Sequence, residues 1–206
     1  MIVIIGPDGS GKTTIADQLV KKFSEKNIKS EHLAMHFYIL PKLKTIFNFF
    51  NRKKKTEKVI EGEYYGGMKG EPNNWLRGSM YVIWYSFDYF LGRLKIAKYN
   101  RKNTVVIFAR YYYDYYYQRG HVNTPKFIIV FMENLIPKPE FIFTISRSAE
   151  DIFKHKPELS IDEIKIQQNK INKIISKRRN AYVINGENGV EDTTNQILSI
   201  IGKDRA

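Results

Sequence analysis

The segment Ile2-Val-Ile-Ile-Gly-Pro-Asp-Gly-Ser-Gly-Lys-Thr13 constrains this chain more than any other. A short run of β-branched residues leads into glycines 6, 9 and 11, then lysine 12 and threonine 13. This is the order G-x-x-x-x-G-K-[ST] between an expected strand and an expected helix, which marks a phosphate loop. Its glycines let successive backbone N–H groups turn inward around an anion. Ile15, Leu19, Val20 and Phe23 follow at helical spacing, so a first helix is expected from about Lys12 to Lys26. The positive end of that helix would face the same anion. Gly6, Asp8, Gly9, Ser10, Gly11, Lys12, Thr13 and Thr14 are therefore the candidate nucleotide-binding residues. Lys12 should reach the β- and γ-phosphates, and the Thr13 hydroxyl should ligate Mg²⁺.

The rest of the chain alternates between strand-like and helix-like segments. Further strands are expected at Glu31–Met35, Val105–Phe108, Phe141–Ile145 and Tyr182–Ile184. Helices are expected over Trp75–Lys98, over Phe127–Ile136 behind a Thr124-Pro125 cap, and from a Ser160/Glu163 capping box to about Arg179. A short helix in Ser146–Glu163 and a closing helix over Val190–Ile201 complete the list. Pro41–Lys58 reads as an amphipathic helix that breaks into the basic run Arg52–Lys55, and Glu61–Asn74 reads as a loop. No internal repeat is visible. The alternation predicts an α/β fold, a parallel sheet covered on both faces, in one domain spanning residues 1–206.

Composition narrows the setting. The chain carries 34 Lys+Arg against 21 Asp+Glu, a formal charge of +13. Such a surface attracts anions, whether nucleotides, nucleic acid or acidic lipid headgroups, but it also fits a merely solvated surface. There is no cysteine, so disulfides and thiolate metal sites are excluded. The opening residues lack a basic n-region and a cleavage site, and no apolar run reaches spanning length. A cytoplasmic protein without a transmembrane segment is the expectation.

GPDGSGKTT, with Asp8 inside the loop, resembles the phosphate loop of thymidylate kinases and their relatives. VVIFARYYYD is similar to that family's strand ending in Asp-Arg-Tyr, PKPEFIFTI to its Pro-x-Pro-Asp segment, and HKPELS to its lid. VINGENGVEDTTNQIL resembles its last strand, adenine-side loop and closing helix. WYSFDYFLG and the tyrosine-rich run look most like a subgroup associated with surface polysaccharide genes. About two-thirds of the chain is matched, and residues 40–74 are matched poorly. The resemblance implies a three-layer α/β/α P-loop NTPase fold with a small lid at about 147–162. It also implies ATP with Mg²⁺ and transfer of the γ-phosphoryl to a nucleoside monophosphate, or to a sugar or glycan acceptor. Arg110 matches the arginine that grips the acceptor phosphate, and a guanidinium fork suits that task. Asp8 matches the acceptor-contacting carboxylate of the loop. Arg147, Lys154, His155 and Lys156 fall in the lid. The family's homodimers form through long helices, a role open to Trp75–Lys98.

Two positions depart from the family's pattern. Ala109 stands where an aspartate precedes the arginine, and His155 stands where the lid often carries arginine. A degenerate, ATP-binding scaffold is therefore the alternative, and a nucleic-acid binder rests on charge alone. Asp114 is either a replacement carboxylate or an ion-pair partner of Arg110. Asp88, inside an apolar helix, is expected either to face the acceptor or to pair with Arg93 or Lys95. Tyr111–Tyr113 and Tyr115–Tyr117 are expected to be mostly structural, with one or two touching ligand. Arg52–Lys55 is read as a solvated loop, with contact to nucleic acid or an anionic membrane the alternative. His32, His36 and His121 are too scattered for a metal site.

Overall fold

The computed structural model describes residues 1–43, 45 and 73–204, so the expectations for Pro41–Lys58 beyond residue 45 and for residues 61–72 lie outside it. The basic run Arg52–Lys55 lies there too. Five strands form one all-parallel sheet in the order β2-β3-β1-β4-β5. They are β1 (Ile2–Ile5), β2 (Ser30–Leu33), β3 (Val105–Phe108), β4 (Phe141–Ser146) and β5 (Ala181–Asn185). The fold is mixed α/β, as the alternation predicts. All four residues of β1 are buried, as a central parallel strand covered on both faces requires.

The described helices are α1 (Lys12–Glu25), α2 (Trp75–Arg101), α3 (Asp114–Tyr117), α4 (Lys126–Glu133), α5 (Ala149–His155), α6 (Ile161–Ile175) and α7 (Val190–Asp204). A 3₁₀ turn covers Arg119–His121. One sheet face, carrying Ile2, Ile4, Ile107 and Phe143, packs on Ile15 and Leu19 of α1 and Ile197 of α7. The other, carrying Val3, Ile5, Val106 and Phe108, packs on α2, α4, α6 and the tyrosine run. Among the described residues, no helix is long and apolar enough to cross a membrane.

Four local expectations are corrected. β2 starts at Ser30 and ends at Leu33 rather than Met35, because its partner β3 ends at Phe108, opposite Leu33. Thr124 does not cap α4. Pro125 holds the N-cap position with ψ 125, and no side-chain cap is made. The Thr124 hydroxyl turns to α2 instead, where a β-carbon on Gly78 would lie 2.2 Å from it. At α6, Ser160 Oγ accepts from the Glu163 N–H at 3.2 Å, which is half of a capping box. The Glu163 carboxylate goes to Arg119 at 2.9 Å rather than back to Ser160. α6 also stops at Ile175, and Arg178 donates to the Ile174 carbonyl at 2.9 Å, covering an open acceptor of the last turn.

Candidate functional site

The sheet order places this site. The connection leaving β1 runs to β2 at one edge, whereas the connection leaving β3 crosses β1 to reach β4. The carboxyl ends of β1 and β3 thus flank a crevice where the connections diverge, the usual binding position in open parallel sheets. Residues 6–11 leave β1 there, and residues 109–118 leave β3.

The loop after β1 is folded as a cradle. Gly9 and Gly11 hold φ 90 and φ 89, left-handed values that a β-carbon would strain. Gly11 is the N-cap of α1, without a side-chain cap and without an acidic residue in the first turn. The first N–H groups of α1 are therefore open to an anion. Lys12 is buried and lies back across the loop, its Nζ donating to the Pro7 carbonyl at 2.6 Å and standing 3.8 Å from Asp8. Burial and the neighbouring Arg110 lower its pKa to about 8, against the pull of Asp8. Ser10 Oγ is buried with no hydrogen-bond partner among the described residues, whereas Thr13 and Thr14 are exposed on the first turn.

Arg110 lies opposite and joins two carboxylates. Its guanidinium contacts Asp8 directly and stands 3.5 Å from Asp114. Burial works against its charge, but Asp114 and Asp8 outweigh that and hold the guanidinium above its ordinary pKa. Burial would raise Asp8 as well, yet Lys12 and Arg110 bring it below the usual carboxylate range. Asp114 is fully buried, and desolvation raises it despite Arg110. Of the two readings of Asp114, the geometry gives the ion pair. Tyr117 OH donates to Asp114 and lies 3.1 Å from the Gly6 carbonyl, and Gln118 Nε2 donates to Asp114 at 2.8 Å. A closed circuit results, from Gly6 through Tyr117, Asp114 and Arg110 to Asp8, which ties the loop to the end of β3. Sequence reasoning named Tyr117 only as one of the tyrosine run and missed Gln118. Their spacing of three and four from Asp114 on a helical turn was the available signal.

The remaining tyrosines of the run are core, except Tyr116, which is half-buried at its edge with its hydroxyl on Glu133. Tyr111, Tyr112, Tyr113 and Tyr115 are buried in the cluster on the β3 side, and Tyr111 and Tyr112 donate to the Pro137 and Ile129 carbonyls at 2.6 and 2.7 Å. Of the six, Tyr117 is the one whose hydroxyl touches the loop after β1. Asp88 follows neither expectation: its carboxylate accepts the backbone N–H groups of Phe37, Ile39 and Leu40 at 2.8, 2.7 and 2.9 Å.

Two histidines are buried beside this aromatic cluster. His36 stacks on Tyr85 with ring centroids 4.1 Å apart, and His121 meets Tyr115 edge-on at 4.7 Å. Burial, with His121 nearby, lowers His36 to about 3, and burial lowers His121 to about 4. Both values lie below the ordinary 6.5, so between them the unfolded chain binds more protons. Stability should be fully present above pH 6.5 and fall as pH drops towards 4, by about 1.4 kcal/mol per pH unit per histidine. Urea titrations at neutral pH and at pH near 5 check this. A His36→Phe, His121→Phe variant should lose most of the difference; equal stability of the wild type at both pH values contradicts the assignment.

The segment expected to form a lid contains α5, which packs through Ala149 and Ile152 against Leu159 and Ile164. It lies on the loop: a β-carbon on Gly9 would meet Lys156 Cβ at 2.9 Å and Ile152 at 3.3 Å. Arg147 and His155 share a cavity of about 250 Å³ with Gly9, Ser10, Gly11, Thr14, Gly186 and Thr193. Arg147 is oriented by the Gly186 carbonyl at 3.1 Å and Asp151 at 3.2 Å. His155 Nδ1 lies 2.9 Å from the Asp151 carbonyl, and Lys156 pairs with Glu158 at 3.3 Å. The structure thus brings Arg147, His155 and Lys156 to the loop. Lys154 is exposed on α5, outside that cavity. Ala109 is 3% exposed and packs among the apolar residues shared with α1 and α7, so it offers no polar group to the crevice.

No protein-family model matches this chain, and a search of curated proteins finds no relative.

Proposed function

We propose that the chain is a phosphotransferase of the three-layer α/β/α P-loop kinase type, using ATP with Mg²⁺. It transfers the γ-phosphoryl to a nucleoside monophosphate or to a sugar or glycan hydroxyl. One observation carries the reading. A glycine cradle with an inward lysine and an uncapped helix end faces an arginine from the neighbouring strand, and both are held in one buried charge network. The donor's fit is supported by the open N–H groups of α1, by Ser10 Oγ, which has no partner among the described residues, and by Lys12, which now rests on a carbonyl it can exchange for phosphate oxygens. Thr13 offers a hydroxyl to the metal, while Ala109 offers nothing, so phosphates and water must complete the coordination. When bound, Mg²⁺ neutralises charge on the phosphates.

The chain's own residues would then divide the work. Lys12 and the loop amides hold the donor phosphates, and Arg147 and His155 flank the cavity that suits the rest of the nucleotide. Arg110 orients the acceptor with its fork, giving up part of its contact with Asp8. Asp114 and Tyr117 position Arg110 from behind. Because phosphoryl transfer depends mainly on positioning and charge neutralisation, an alanine at 109 is compatible with turnover.

Ala109 also supports a second reading, a protein that binds ATP without transferring phosphate. Incubation with Mg-ATP and a panel of nucleoside monophosphates and sugars separates the two. ADP formed together with one phosphorylated acceptor supports the kinase. ATP binding with no phosphorylated product from any acceptor supports the second reading, and absence of ATP binding removes both.

A further inference from the structure

α2 and α4 carry an apolar face that the charge network does not use. On α2, Leu76, Met80, Ile83, Phe87, Phe90 and Leu94 recur at alternating steps of four and three, so they form one stripe along the helix. All six are exposed, Leu94 by 74%. Buried residues of α2, among them Val82, Ser86 and Tyr89, face the opposite way into the core. The stripe runs about 27 Å at the helical rise. α4 extends it sideways with Phe127 and Phe131, which are 73% and 66% exposed. Between the helices lies a groove of about 740 Å³ whose lining includes one polar side chain, Asn134. A contiguous exposed apolar surface of this kind marks an interaction site.

The charges around the face decide what covers it. Arg77, Arg93, Lys98 and Arg101 are exposed on α2, and Arg93 lies over the Phe90 ring at 5.4 Å. The one acidic residue of α2, Asp88, is buried and occupied by backbone N–H groups. On the α4 side stand Lys126 and the neighbouring Lys170, while Glu133 is held by Arg178 at 2.7 Å. The described rim is therefore cationic. A second copy laid antiparallel on the stripe would bring an equally cationic helix against this one. An anionic surface meets no such conflict. The most exposed side chains also project individually, and a bilayer accepts them without a shaped socket while long cations reach its headgroups.

We propose that the α2/α4 face docks on an anionic lipid bilayer, with the stripe and the two α4 phenylalanines entering the interface and the cations on the headgroups. The protein would lie on the membrane rather than span it.

Co-sedimentation of the full chain with vesicles of phosphatidylcholine alone, or mixed with phosphatidylglycerol, tests this without nucleotide. Binding to the mixed vesicles should be about tenfold tighter or more and should weaken with added salt. The Phe127→Ser, Phe131→Ser variant should lose at least about tenfold, and Arg77→Ala, Arg93→Ala several-fold, with unchanged melting temperature. Leu94→Ser on the stripe provides an independent variant if the phenylalanine pair impairs folding. Equal affinity for both vesicle types, or binding unaffected by these substitutions, overturns the proposal. So does a lipid-free dimer that these apolar substitutions dissociate, because the face would then belong to a second copy.

Discussion

Replacing Arg110 with alanine is expected to destabilise the fold by about 3 kcal/mol and, on the proposed function, to lower phosphoryl transfer by about a hundredfold or more. Both effects arise from one geometry. Asp8 contacts the guanidinium, and Asp114, fully buried, stands 3.5 Å from it, so its removal leaves two carboxylates short of their shared cation. Breaking a buried pair costs more than the pair contributes, since the stranded charge cannot return to water. The acceptor would lose its fork at the same time. Arg110→Lys should recover much of the stability but less of the rate, because a single ammonium cannot span both carboxylates and a phosphate. Urea midpoints at unchanged slope and kcat/KM for the two variants measure this. An alanine variant as stable and active as wild type would remove the network from the account.

Asp88→Ala should cost about 3 kcal/mol or more, without any direct role in transfer. Its carboxylate is the acceptor for three backbone N–H groups, those of Phe37, Ile39 and Leu40. Alanine would leave these donors without their partner against α2, and each orphaned donor costs about 1–3 kcal/mol. Asp88→Asn keeps an acceptor oxygen and should lose less. Denaturant titration of the two variants gives the ordering, and equal losses would show that the N–H contacts do not dominate.

Arg110 and Asp88 show what the sequence made legible. The glycine-rich turn after β1, the buried strand before it and Arg110 at the end of β3 follow from local spacing and apolar pattern, and the structure places them together. The roles of Asp88 and Tyr117 do not. Asp88 caps a segment some fifty residues earlier, and Tyr117 reaches Gly6 across 111 positions, pairings that no local period encodes. Thr124 illustrates the same limit. Its position before a proline is ordinary helix-start chemistry, but its hydroxyl lies against Gly78 of α2 and caps nothing. The tyrosines were legible as aromatic and partly polar. Their depth depended on how the segment after β3 folds back over the sheet.

Calorimetric titration of the chain with Mg-ATP tests the central claim most directly, since it asks whether the loop is a phosphate site before any acceptor is known. Saturable one-to-one binding is the predicted result, weakened roughly ten- to a hundredfold in Lys12→Met through loss of a charged hydrogen-bond donor. No binding by the wild type, or equal binding by Lys12→Met, would contradict it.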